Sequence, residues 1–207
     1  MLFLVLLGWW PLVAGQAPQP PSPPAKTHAQ TVSQTKRGEP EVHPWTRGVR
    51  DLIAYPEYQA FLKTKWGPDF SLEEHVARWK STHPEVTATQ LMLALGVLDQ
   101  GGKSVLGVMN PVLCEKASVH AKDMVKRYKQ DHANWGTRAQ GLGEASEIVK
   151  ETFDGVNSIV EAGRFCANWT SGSHRPDMMG KHKSFCYDMA QAADGKWFCV
   201  GIFSETI

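Results

Sequence analysis

Neither sign of charge is in excess in this sequence: 22 Lys and Arg stand against 21 Asp and Glu in 207 residues, a formal net charge of +1. Such a balance creates no field to draw the chain onto nucleic acid or an acidic membrane, which excludes a basic nucleic-acid binder. Long apolar runs are also missing. The most hydrophobic stretch, residues 2–14 (LFLVLLGWWPLVA), has thirteen residues, fewer than the roughly 20 a helix needs to cross a bilayer. A multi-span membrane protein is therefore excluded. No C-x-x-C is present, so zinc-ribbon and thioredoxin-like readings fall away. No H-E-x-x-H and no G-x-S-x-G occur either, which removes the usual zincin and α/β-hydrolase signatures. Leu98–Ser104 (LDQGGKS) imitates a phosphate loop, but Val97 stands where the first glycine is required and no apolar strand precedes it.

What is present supports a folded, exported protein. At 42% hydrophobic and 10% aromatic residues the chain can build a core. The thirteen-residue run suits the apolar region of a signal peptide spanning 1–15, with Val13 and Gly15 as the small residues before the cut. Eight of the 13 prolines lie in the first 44 residues. Between Gln16 and Pro44 the only apolar residues are Ala17, Ala25, Ala29, Val32 and Val42, too few to offset the entropy of ordering. Residues 16–44 are read as a disordered, polyproline-biased linker. Four cysteines in an exported chain predict two disulfides among Cys114, Cys166, Cys186 and Cys199.

Helix signals begin after Trp45. Ser71-Leu72-Glu73-Glu74 opens a helix through about Lys80, and a second helix is expected from Thr87 to Leu98. With Tyr55, Tyr58, Phe61, Trp66 and Trp79 these pieces form a helical extension over 45–87. Asn110-Pro111 caps a further helix, whose stripe Leu113, Ala117, Ala121, Met124, Tyr128 follows helical spacing and fades near Gln130. Another helix is expected from Gly143-Glu144 toward Glu161, weakened by Gly155. Ser184–Gln191 and Lys196–Ser204, joined at Asp194-Gly195, predict a β-hairpin with a type I′ turn. That register puts Cys199 opposite Ala190, on the face of Cys186 but about 13 Å from it along the strand at ~3.3 Å per residue. The two cannot bond to each other, so at least one must bridge to Cys166 or Cys114. Helices around a small antiparallel sheet give an α+β architecture.

Among eight histidines, His28 and His43 fall in the tail, His75 and His83 on or near a surface helix, and His120 beside a buried stripe. His132 and His174 differ, because both lie in turn-rich loops, where binding groups concentrate. Glu144, after two glycines at an expected helix start, is the third candidate. Two imidazoles and a carboxylate suit Zn²⁺ with an open position. Asn168-Trp169-Thr170 is an N-glycosylation sequon.

Taken in order, these segments resemble the CAP superfamily (cysteine-rich secretory, antigen and pathogenesis-related proteins), particularly its bacterial secreted branch. The A-x-x-H-A-x-D-M helix of that branch is similar to Ala117–Met124, and its following Ser-His pair to Asp131-His132. Its Gly-Glu-Asn-Ile is similar to Gly143-Glu144-Ala145-Ser146. Its Trp-Met-x-Ser-x-Gly-His-Arg before a hydrophobic hairpin is similar to Trp169–Arg175. The resemblance spans roughly 88–204 and implies an α/β/α sandwich over 88–207. It also implies an open groove floored by two histidines and acidic residues, which in some members binds Zn²⁺ or another divalent cation. His132, Glu144 and His174 match the family's His, Glu and His. Ala145 replaces the family's Asn, the Trp169–His174 spacing is short, and the family's second acidic residue has no clear counterpart, Glu147 and Glu161 being the two candidates.

The function this implies is a secreted (extracellular or periplasmic), non-enzymatic module with a polar, metal-binding groove. Its partner would be an extracellular lipid, glycan or peptide. One alternative is a metal-assisted hydrolase acting on a peptide, ester or cell-wall substrate, with metal-bound water as the attacking group. Another is a structural envelope domain whose polar residues only cap helices and close turns.

Overall fold

Side-chain caps written in the sequence open four of the eight helices among the described residues. The computed structural model describes residues 48–170 and 172–207, all within one folded unit. The expected signal peptide and proline-rich linker lie outside the described residues. Helix α1 (Val49–Ala54) and α2 (Pro56–Trp66) precede α3 (Leu72–Thr82), where the Ser71 hydroxyl accepts from the Glu74 N–H. In α4 (Ala88–Gln100) Thr87 and Gln90 form a reciprocal capping box, and Gly101 ends the helix in a left-handed conformation. Helix α5 (Pro111–Arg127) starts where Asn110 Oδ1 accepts from the Val112 and Leu113 N–H groups. It stops one residue before Tyr128, which is exposed and turns the chain at φ +50°.

After α6 (Trp135–Arg138) the expected helix over 143–161 does not form. Ala145–Glu151 is strand β2, and only Ile159–Cys166 is helical (α7). Ile148 and Val149 are β-branched and prefer a pleated, half-buried surface, and Gly155 takes φ +78° between the two elements. A 3₁₀ turn over Lys103–Leu106 leads into β1 (Val108–Met109), and α8 (His174–Met179) precedes β3 (Ser184–Gln191) and β4 (Trp197–Ser204). The sheet has the order β1-β3-β4-β2. It is mixed rather than purely antiparallel, because β1 runs parallel to β3. The architecture is α+β, as the sequence indicates.

The hairpin differs from the expected one by one residue. Gln191 pairs with Trp197 and Met189 with Cys199. The turn is a three-residue loop, with Gly195 N–H donating to Ala192 O and Gly195 at φ +88°, the type I turn with a bulge. A one-residue slip reverses which face each side chain occupies. Cys186 and Cys199 therefore sit on opposite faces of the sheet, not on one. Both form bridges, Cys114–Cys186 and Cys166–Cys199.

Those two bridges pin a helix to each side. Cys114 ties α5 to the face that carries Cys186, Asp188, Val200, Ile202 and, by register, Glu147 of β2. Cys166 ties α7 to the other face, where Phe185, Tyr187, Met189 and Phe203 lie. Trp79 of α3 meets Phe185 there edge-on at 6.0 Å, and the Ser104 hydroxyl bonds the Tyr187 hydroxyl at 2.6 Å. Helices α4 and α7 cross backbone to backbone, since a Cβ on Gly96 would lie 2.6 Å from Gly163 O. Leu52, Tyr58, Leu62, Leu72, Val76 and Trp79 from α1–α3 join the same core as the sheet. No helix among the described residues is long and apolar enough to cross a membrane.

Candidate functional site

Strand β2 begins at one edge of the sheet, and its alternation turns Glu147 toward α5, where the residue is buried. A buried carboxylate must be paired, and two partners hydrogen-bond this one, with a third group nearby. Arg138 of α6 holds both oxygens, with one nitrogen 2.9 Å from Oε1 and the other on Oε2. Nδ1 of His132 is 3.0 Å from Oε1, and Nε2 of His120 is 3.8 Å from it. Because a carboxylate paired with Arg accepts, His132 carries its proton on Nδ1. Its Nε2 then carries a lone pair that accepts from Nε2 of His174 at 3.1 Å, and the same lone pair can serve a base or a ligand role.

The loop before His132 is fixed from below. Arg127 holds Asp131 through two nitrogens at 2.8 and 2.9 Å, and Asp131 Oδ1 accepts from the Ala133 N–H. Nε2 of His120 donates to the Asp131 carbonyl at 2.8 Å, which leaves Nδ1 buried with no hydrogen-bond partner. Burial pushes His120 below the ordinary imidazole range, so it stays neutral at pH 7. This imidazole is a brace on the backbone beside His132 and faces no solvent.

His174, the first residue of α8, completes the site. Its Nε2 lies 3.1 Å from Nε2 of His132, with the rings edge-to-face at 5.2 Å. Burial and the neighbouring His132 lower its pKa below the ordinary value. Helix α8 is held at its other end by His182, whose Nε2 donates to Asp177 O at 2.7 Å while its Nδ1 meets Glu205 at 2.6 Å. That ring also stacks on Phe203 at 4.5 Å.

Of the three residues singled out in the sequence, the structure brings two together. His132 and His174 meet, whereas Glu144 is exposed, and its described contact is a backbone one, accepting from the Glu205 N–H. It opens no helix, because the segment that follows is β2. The carboxylate at the site is Glu147, one of the two residues considered for the second acidic position. Glu161, the other, lies in α7, on the far side of the sheet from Glu147. The roles of Arg138 and His182 have no motif in the sequence, and His120, the histidine of the Ala117–Met124 motif, acts as a buried brace rather than at the open site.

Two imidazole Nε2 atoms bound to one Zn²⁺ at 2.0–2.1 Å in tetrahedral geometry would stand about 3.3 Å apart. The observed 3.1 Å fits that arrangement. Glu147 against Nδ1 of His132 is the outer-shell carboxylate that orients a ligating imidazole. The donor set stops at two, however. Among the described residues no group of three or more His, Cys, Asp or Glu side chains is placed to hold a metal ion. Comparison with protein-family models, with curated proteins and with solved structures finds no match for the chain.

Proposed function

We propose that the chain is an exported CAP-like binding module in which His132 and His174 hold a divalent cation, Zn²⁺ or another, at the floor of a groove open to an extracellular lipid, glycan or peptide. The observation that carries this reading is the 3.1 Å approach of two Nε2 atoms, one of them freed for coordination by Glu147 on the opposite ring nitrogen. Helices on both faces of the sheet, and the meeting of His132 with His174, support the family reading, while Glu144, the residue matched to the family's Glu, stays outside the cluster. Two disulfides accord with an oxidising compartment.

When bound, the cation supplies a Lewis-acid contact for an oxygen of the ligand. The protein's own part is to keep His132 oriented through Glu147 and His174 through α8. With two protein donors, and Arg138 neutralising Glu147, the site is expected to bind with sub-millimolar affinity. Structural zinc sites, by contrast, are closed by four ligands.

Titration of the purified protein with Zn²⁺ in a calorimeter tests this. Binding heat is expected in the wild type and none in a His132→Ala, His174→Ala double variant that keeps its circular dichroism. No metal-dependent heat in the wild type would reject the site. The hydrolase reading has one observation in its favour, since a carboxylate-held imidazole is the arrangement of an oriented general base. Turnover of peptide, ester or cell-wall substrates by the wild type, lost in His132→Ala, would favour it over binding.

A further inference from the structure

Phe165 in α7 is 36% exposed and Phe153 is 57% exposed, which is unusual for a phenyl ring. Their rings meet edge-to-face at 5.2 Å, with the Lys150 ammonium 4.9 Å from the Phe165 centroid. Phe165 borders a hollow of about 300 Å³ that it shares with Gln100, Glu161, Arg164 and Asn168. Asn168 belongs to the single N-x-S/T sequence in the chain.

The backbone presents this sequon outward. The Asn168 N–H donates to Phe165 O at 3.2 Å, closing a turn that brings the asparagine beside the exposed ring. Its neighbour Trp169 is buried, with the indole N–H on Val149 O at 3.2 Å and the ring 5.8 Å from Tyr187. With the middle residue anchored in the core, Asn168 and Thr170 on either side are both exposed. With both exposed, the amide and the hydroxyl two residues on can be engaged together. Lys150 holds the Asn168 carbonyl and leaves the side-chain amide to the solvent.

We infer that Asn168 is an N-glycosylation site whose first sugar lies over the Phe165 ring, in the hollow lined by Gln100, Glu161 and Arg164. The donor is an oligosaccharide carried on a polyprenyl pyrophosphate. The Asn168 amide nitrogen attacks the anomeric carbon, forming a C–N bond. The C–O bond to pyrophosphate breaks, the lipid pyrophosphate leaves with the electron pair, and the amide nitrogen gives one proton to a base. A pyranose presents C–H groups to an aromatic face and hydroxyls to the amide, carboxylate and guanidinium groups around the hollow.

The test is expression of the full chain in a eukaryotic secretory cell, with intact-mass analysis of the medium and of the endoplasmic-reticulum lumen. A glycan mass removed by peptide-N-glycosidase is expected, lost in Asn168→Gln and Thr170→Ala and kept in Thr170→Ser. Protein unmodified at Asn168 in both fractions overturns the site. Enzymatic removal of the glycan is expected to lower the Tm of the wild type by about 2 °C and to leave that of Phe165→Ala unchanged. Equal shifts in the two proteins would overturn the stacking on Phe165.

Discussion

Asp99 stands at the end of α4, where the helix dipole already disfavours a negative charge. The residue is 5% exposed. Oδ1 accepts from the Tyr58 hydroxyl at 2.6 Å, and Oδ2 is buried without a hydrogen-bond partner. Lys65 donates to its backbone carbonyl, and the Trp66 indole N–H bonds Leu98 O at 3.1 Å, so α2 rests on this corner. Burial pushes the carboxyl from 3.8 up to about 7, against the pull of the Tyr58 hydrogen bond, Lys65 and Arg164. An acid whose pKa is higher folded than unfolded binds protons more tightly in the native state. Its contribution is complete below pH 3.8 and is lost as pH rises through 7. At about 1.36 kcal/mol per pH unit the whole shift is worth about 4 kcal/mol, of which between about 2 and 3 falls between pH 5 and pH 8. Against a total stability of roughly 5–15 kcal/mol this is a large share. Asp99→Asn keeps an oxygen for Tyr58 and removes the titration. Urea unfolding at pH 5 and pH 8 should show the wild type losing between about 2 and 3 kcal/mol more than the variant. Histidine titration is common to both proteins and cancels in the comparison. Equal pH dependence in the two would refute the assignment of this penalty to Asp99.

Glu147→Gln should weaken Zn²⁺ binding roughly 10- to 100-fold, as loss of an outer-shell partner does, while Glu144→Gln leaves it unchanged. The reverse order in the calorimeter would return Glu144 to the site. Gly96→Ala places a methyl 2.6 Å from Gly163 O, and should cost about 1–3 kcal/mol by forcing α4 and α7 apart. A melt within the error of the wild type would contradict that crossing. The bridges close loops of 72 and 33 residues. Replacing either cysteine pair by serine should cost about 4 kcal/mol on chain-entropy grounds, the longer loop slightly more, as measured by denaturant unfolding under oxidising conditions.

Where a polar residue meets a free backbone group, the sequence reads correctly. Ser71, Thr87 and Asn110 each accept from N–H groups of the first helical turn, and the helices they open lie where their caps place them. Misreadings arise where the deciding partner is distant in sequence. Residues 145–151 have apolar positions that a helix could also use, and β4, about fifty residues further on, makes them a strand. The hairpin turn is ambiguous locally, because Asp-Gly serves a two-residue loop and a three-residue loop equally well. Packing of the two faces resolves it. Only the observed register sends Cys186 toward α5 and Cys199 toward α7.

The same misreading determines which carboxylate was expected at the site. On a helix, residues three apart share a face, so Glu144 and Glu147 would both look toward His132, and the first would be favoured by its glycines and its place in the motif. On a strand, three residues are an odd step and point to opposite sides. Glu147 pairs with Ile202 on the α5 side of the sheet, beside His120, Arg138 and His132. Glu144 lies just before the strand and takes no part in that cluster. The two histidines are legible because each lies beside turn residues, His132 in a loop and His174 at the first position of α8, where a side chain can still face outward. The carboxylate was not legible, because its direction depends on a strand parity that only the sheet supplies.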